Sequence, residues 1–184
     1  MRTKFLLSTV LAFLTSVSGL ATKTLAIQLQ DGTVYFAQPP RLMKVTTSYN
    51  TVGVWGATYY FTINIPENAG EPLQAITINQ HEGVDFVYFD LNNSFVVDEQ
   101  QQKFKLNNIT SDRKTKTVSI TFEQPITPGK TITIALRPVR NPLVEGVYLF
   151  GVTAYPRGEK AHKQFLGFGR LHFYGRRFGS FFLH

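Results

Sequence analysis

The sequence predicts an all-β fold, an antiparallel β-sandwich of about eight to ten short strands behind a cleaved signal-peptide helix. Three observations predict it. From Ile27 onward no stretch holds a helical period for more than a turn or two, while apolar and polar residues alternate with period two in segment after segment. Those segments are rich in Thr, Val, Ile, Tyr and Phe, which suit a half-buried pleated surface. Gly, Pro, Asn and Asp punctuate them at roughly 8 to 12 residue spacing, the rhythm of a sandwich.

The chain opens with Arg2 and Lys4 ahead of the apolar run Phe5 to Leu20, then small residues around Ala21 and Ala26, the pattern of a secretory signal. Cleavage after Ala21 or after Ala26 satisfies the small-residue rule, and Ala26 is favoured. The run is shorter than the ~20 residues a spanning helix needs, so the cleaved product is expected not to cross the membrane. Cleavage at Ala26 leaves 158 of the 184 residues, enough for one domain that buries roughly 68 to 70% of its unfolded surface. There are no cysteines, so neither disulfides nor a lipoprotein anchor is available and the core alone must hold the fold. The immunoglobulin cysteine pair is thereby missing, and the sandwich is expected to be immunoglobulin-like without being an antibody-type domain.

Strands are expected, in order, at Thr33 to Ala37 and Lys44 to Tyr49, then at Tyr59 to Ile65, where Phe61, Ile63 and Ile65 share one face and Pro66 ends the run. Leu73 to Asn79, Val84 to Phe89, Phe95 to Val97 and Phe104 to Leu106 follow. Thr117 to Phe122 places Val118, Ile120 and Phe122 inward, and Thr131 to Arg137 does the same with Ile132, Ile134 and Leu136. Between these two, Pro128 and Gly129 fit the central positions of a type II turn. The closing pair runs from Leu136 to Tyr174, with Tyr148, Phe150 and Val152 in the core and Phe165 to Tyr174 returning beside them. Phe165, Leu171 and Phe173 are expected to complete that core. The glycines of Gly167-Phe168-Gly169-Arg170 read as positions of close approach by an aromatic ring or a backbone, not as a phosphate-binding loop.

The net charge of +7 is unevenly placed. Ile27 to Pro156 carries 10 Lys and Arg against 11 Asp and Glu, and Arg157 to His184 carries 6 against 1. The body is neutral and the tail basic. The expected division is therefore residues 1–26 as signal peptide, 27–174 as sandwich and 175–184 as a basic, aromatic extension.

Several stretches are distinctive: Ile27 to Phe36 (IQLQDGTVYF), Pro39 to Leu42, Leu136 to Pro142 (LRPVRNP), Gly146 to Pro156 (GVYLFGVTAYP) and Phe165 to Tyr174 (FLGFGRLHFY). In these the chain resembles a family of exported cyanobacterial proteins built on a domain of unknown function. The resemblance implies an address in the cell envelope or outside it and carries no activity with it.

No catalytic, cofactor-binding or metal-binding set is expected. The histidines His81, His162, His172 and His184 lie far apart, and His81-Glu82-Gly83-Val84-Asp85 reads as a turn between strands. A nucleophile elbow is missing, which leaves for catalysis only a periplasmic enzyme with a site assembled across loops. The sequons at Asn92 and Asn108 read as chance.

Two binding surfaces are expected. Basic residues among aromatics make Lys160, Lys163, Arg176, Arg177, Phe178, Phe181 and Phe182 a candidate surface for an envelope protein, a polysaccharide or an anionic lipid surface. Export disfavours nucleic acid. Trp55 with Tyr49 and Tyr60 is a candidate sugar platform, set against the commoner role of aromatics as sandwich core. The leading expectation is a non-enzymatic exported envelope protein that binds a partner or an anionic surface, with a carbohydrate-binding module as the alternative.

Overall fold

The computed structural model describes residues 27–29 and 31–175. The expected signal peptide lies outside them, as do Arg176, Arg177, Phe178, Phe181, Phe182 and His184. No helix among the described residues is long and apolar enough to cross a membrane.

Two antiparallel sheets face each other as an immunoglobulin-like sandwich. One has four strands, β3 (Arg41–Thr47), β4 (Tyr59–Asn64), β9 (Thr131–Pro138) and β6 (Phe89–Asp98), in the order β3-β4-β9-β6. The other has five, β12 (Gln164–Phe173), β10 (Gly146–Pro156), β5 (Leu73–Glu82), β8 (Thr117–Ile126) and β7 (Leu106–Asp112), in the order β12-β10-β5-β8-β7. A third, small sheet joins β1 (Ile27–Gln28) and β2 (Thr33–Tyr35) to β11 (Lys160–Ala161), with β11 parallel to β2.

The alternation that marks the strands also fills the core. Tyr59, Phe61 and Ile63 of β4 meet Ile132, Ile134 and Leu136 of β9 from one sheet, and Ile76, Ile78, Val118, Ile120, Tyr148, Phe150 and Val152 close on them from the other. Phe150 sits edge-on to Tyr59 and Phe61, with ring centroids 6.0 and 5.9 Å apart, the geometry aromatic quadrupoles favour. The turn at Pro128 and Gly129 forms as expected, Gly129 taking φ +83° while its amide donates to Ile65 O. Val45 of β3 reaches so far over β12 that its side chain occupies the space a Cβ at position 169 needs, 2.3 Å away. Gly169 is thus a site of close approach, by an aliphatic side chain where an aromatic or a backbone was expected.

Four expectations are corrected. Val84 to Phe89 is a loop up to the start of β6, with Val84 76% exposed; it is held by side chains, as described below, and by a backbone bond from Val139 N to Tyr88 O. Asn92 and Asn93, which fall between two expected strands, sit inside β6, where the register shifts between Asp90 and Phe95 and the Ser94 hydroxyl donates to Asp90 O. Beyond Phe104 the next strand is Leu106–Asp112, polar along most of its length because it is the edge of the five-stranded sheet. Leu171 and Phe173 enter the core, but Phe165 is 50% exposed and lies against Phe168 on the outer face.

Tyr59 is fully buried, and its hydroxyl donates to Asn141 Oδ1 at 3.0 Å. Burial, then the neighbouring Tyr148, pushes its pKa far above the ordinary tyrosine value of 10.0. The folded state therefore keeps a proton that the unfolded chain releases as pH rises through about 10. The associated stability is present below that pH and lost above it. Tyr59→Phe is expected to cost about 1 kcal/mol at pH 7 and to decline less than wild type between pH 9.5 and 11 in urea melts. Parallel declines would refute the assignment.

Candidate loop-end binding site

At one end of the sandwich the chain runs through the loops 48–58, 83–88 and 139–145 and the turn 113–116. All four are fastened by side chains, which is what a loop needs when no ladder supplies its hydrogen bonds. Asn141 is fully buried. Its Nδ2 donates to the carbonyls of Tyr49 and Thr51, each at 2.9 Å, while its Oδ1 accepts from Tyr59. Backbone bonds from Asn141 N to Val54 O and from Gly53 N to Pro142 O, both 2.8 Å, bind the same two loops.

The 83–88 loop is held by Gln80, whose Nε2 donates to Asp85 O and whose Oε1 accepts from Val87 N. Asp85 in turn accepts the amides of Leu143 and Val144 on Oδ2. The Tyr148 hydroxyl donates to Val144 O and accepts the Asp85 amide. Asp112 fixes the turn that carries Arg113: the amide of Lys114, then that of Thr115, hold its carboxyl below the usual carboxylate range.

These loops enclose a cleft of about 520 Å³ lined by Trp55, Phe86, Tyr88, Arg113, Arg140 and Leu143, among others. Trp55 is 67% exposed, which removes the core role that was set against its reading as a platform. Its backbone pairs with that of Arg140 in an isolated bridge, so the exposure is fixed by the loop and does not come from a free end. Arg113 lies over the Tyr88 ring with its guanidinium carbon 5.2 Å from the centroid, and Phe86 meets the same ring edge-on at 4.4 Å.

The expected platform is regrouped. Trp55 shares its cleft with Phe86 and Tyr88, while Tyr60 stands in mid-β4 between Thr46 and Ala135. Tyr49 is exposed in the 48–58 loop and is not among the cleft residues. Phe86 and Tyr88 escaped the sequence reading because they fell inside an expected strand. The unbroken apolar run Phe86-Val87-Tyr88-Phe89 was the available signal, since in a half-buried strand alternate positions are polar. The inward members are Val87 and Phe89; Phe86 and Tyr88 face the cleft.

The expected basic surface is divided as well. Lys160 donates from Nζ to Asp31 O at 2.8 Å, so it fastens the small sheet, and His162 beside it stacks on Tyr35. Lys163 is exposed in the same turn. That turn joins the far ends of β10 and β12, whose other ends, Gly146 and Phe173, pair beside the cleft. Tyr174 N donates to Asn50 O, Val52 N donates to Tyr174 O, and Gly175 N donates to Glu145 Oε2. Gly175, the last described residue, thus lies beside the 139–145 loop, while Lys160 and Lys163 stand at the opposite end of the sandwich. No group of three or more His, Asp or Glu able to hold a metal ion occurs among the described residues.

No curated protein matches the chain in sequence. Among solved structures the chain is similar to the bacterial hydrophobin BslA, at 12% identity and TM-score 0.44, over 75% of this chain and 100% of that one. It is similar to the major pilin SpaD of Corynebacterium diphtheriae, at 12% identity and TM-score 0.49, over 72% of this chain and 34% of the pilin. The major pilin subunit BcpA of Bacillus cereus shares 10% identity at TM-score 0.48, over 74% of this chain and 41% of that one. The sequence match is of another order, for it begins at Thr33 in β2, ends at Phe173 in β12 and takes in every residue of the cleft. Residues 33–173 match the family described as protein of unknown function, DUF2808, and the chain belongs to that family.

Proposed function

We propose that this protein is an exported, non-enzymatic module of the cell envelope that binds a partner or surface through the loop end of its sandwich. One observation carries the reading: Trp55, two-thirds exposed, stands in a cleft whose walls are locked by the buried Asn141. An indole held in water by a rigid loop is an apolar surface kept ready for a ligand. Export rests on the charged and apolar start of the sequence, Arg2 to Leu20.

Chemistry on a substrate needs a base near a nucleophile or a developing charge. The Asp85 carboxylate is engaged by two backbone amides and the Asn141 amide by three partners. Beside these the cleft presents aromatic faces, guanidinium groups and aliphatic rims, which suit binding. Arg176, Arg177, Phe178, Phe181 and Phe182 follow in sequence on Gly175, which Glu145 holds beside the 139–145 loop.

The test is co-sedimentation with the envelope fraction of the producing cell. Trp55→Ala, an exposed change expected to shift stability by less than about 0.5 kcal/mol, is expected to weaken association about tenfold. Truncation after Gly175 weakens it further at low salt, since exposed charge contacts are screened as salt rises. Lys160→Ala with Lys163→Ala leaves it unchanged. Association that survives the Trp55 change and the truncation but is lost with the two lysines would move the binding end to the other side of the sandwich.

A further inference from the structure

We infer that the loop-end cleft takes an acidic polysaccharide, a chain of uronate-bearing sugars, with Trp55 and Tyr88 as ring platforms and Arg113 and Arg140 as the carboxylate-binding groups. This rests on the reading that the loop end is the binding end, and adds the chemical class of the ligand.

The cleft offers two kinds of contact side by side. A pyranose ring has an apolar C–H face and a polar rim, and the exposed indole of Trp55 and the half-exposed ring of Tyr88 are surfaces on which such a face can lie. Arg113 and Arg140 supply planar forks of N–H donors that match a carboxylate in pairs, a geometry lysine lacks. Arg113 lies over one face of the Tyr88 ring, so a sugar has the opposite face of that platform, and the contact leaves less side-chain freedom to lose on binding. Trp55 and Arg140 are backbone partners in an antiparallel bridge, which sets a second platform and a second fork side by side.

The charge of the cleft is settled by its one carboxylate. Asp85 keeps its negative charge, with Oδ2 turned to the amides of Leu143 and Val144, and it stands against two guanidinium groups in the lining, a balance of +1. That surplus is the charge for a ligand to answer, and an acidic ligand answers it. The cleft volume of about 520 Å³ falls within the range of sites for small ligands, about 300 to 1,000 Å³. A concave site of that size suits a chain threading through it better than a flat bilayer. Nucleic acid is disfavoured because Ile27 to Pro156 carries 10 basic against 11 acidic residues, with no basic stripe along which a phosphate backbone runs.

Trp55 is the sole tryptophan, so its fluorescence reads the cleft directly. The probes are oligogalacturonate, a neutral malto-oligosaccharide of equal length, and phosphatidylglycerol vesicles. The expected result is a saturable change in Trp55 emission with oligogalacturonate, weakened by salt, and a response at least about tenfold weaker with the neutral sugar. Arg113→Gln with Arg140→Gln is expected to remove that preference, with the thermal midpoint unchanged as a check on folding. Equal affinity for the neutral and acidic sugars overturns the acidic assignment and leaves the loop end as the binding end. A blue shift with vesicles and no response to sugars assigns the cleft to membrane and overturns the polysaccharide. No response to any probe, with envelope association still lost in Trp55→Ala, overturns the ligand class alone; if association also persists in Trp55→Ala, the binding end falls with it.

Discussion

Asn141→Ala is expected to lower the unfolding free energy by about 3 kcal/mol or more and to abolish binding at the cleft in the fraction that stays folded. Removing the side chain strips partners from the Tyr59 hydroxyl and from the carbonyls of Tyr49 and Thr51. Each buried polar group left without a partner costs about 1 to 3 kcal/mol. Asn141 lies at zero exposure, so water does not readily replace it. The measurement is a urea titration with the slope held in common, and a loss under about 1 kcal/mol would show the side chain to be dispensable. Asn141→Asp keeps an acceptor for Tyr59 but sets a carboxylate against the Tyr49 and Thr51 carbonyls, so it is expected to be destabilising as well. The binding half of the prediction follows from the same bonds, because the loop they tie down carries Trp55. If the variant stays folded and still binds, the cleft is not held by Asn141.

Gly83→Ala is expected to cost about 4 kcal/mol, an unusual penalty for a glycine at the mouth of a loop. Two causes add. The backbone there has φ +137°, a region side chains rarely adopt, worth roughly 1 to 3 kcal/mol of strain. The new Cβ would also lie 2.2 Å from Tyr148 Cδ1 and 2.6 Å from Cε1, so the ring must move, at roughly 1 to 3 kcal/mol more. Tyr148 is the ring whose hydroxyl joins the 83–88 and 139–145 loops, so its displacement opens both sides of the cleft. A double-mutant cycle separates the causes: with Tyr148→Ala already in place, Gly83→Ala costs only the strain. Full additivity would mean that the ring is not what the methyl group meets.

The sandwich was legible where each strand has one wet and one dry face. Tyr59 to Ile65 and Thr117 to Phe122 show that alternation without a break, and burial follows it residue by residue; Thr131 to Arg137 keeps to it except at Ala135, which is buried as well. Legibility failed where the pleat is interrupted or where both faces meet water. In β6 the polar Asn92 and Asn93 belong to a register shift that no local pattern distinguishes from a turn. In β7 the edge position removes the need for an apolar side, so Asn107, Asn108, Thr110 and Ser111 carry no strand signal.

The site was legible in part. Trp55 stood out as the lone tryptophan, but its partners are set by how loops distant in sequence meet, and Arg113 comes from a turn 58 residues after it. The buried role of Asn141 was hidden inside a distinctive Asn-Pro stretch, because a residue that satisfies three groups in space has no periodicity in sequence.

The small sheet has a practical consequence for handling the molecule. Pairing of β2 with β11 holds the first described strands at the end of β10 away from Gly146, roughly 33 Å from the cleft along an 11-residue strand. A tag or support coupled ahead of Ile27 therefore presents Trp55 outward, whereas one coupled after Gly175 crowds it. On a sensor chip the first orientation is expected to give the larger fraction of active molecules for the same protein density.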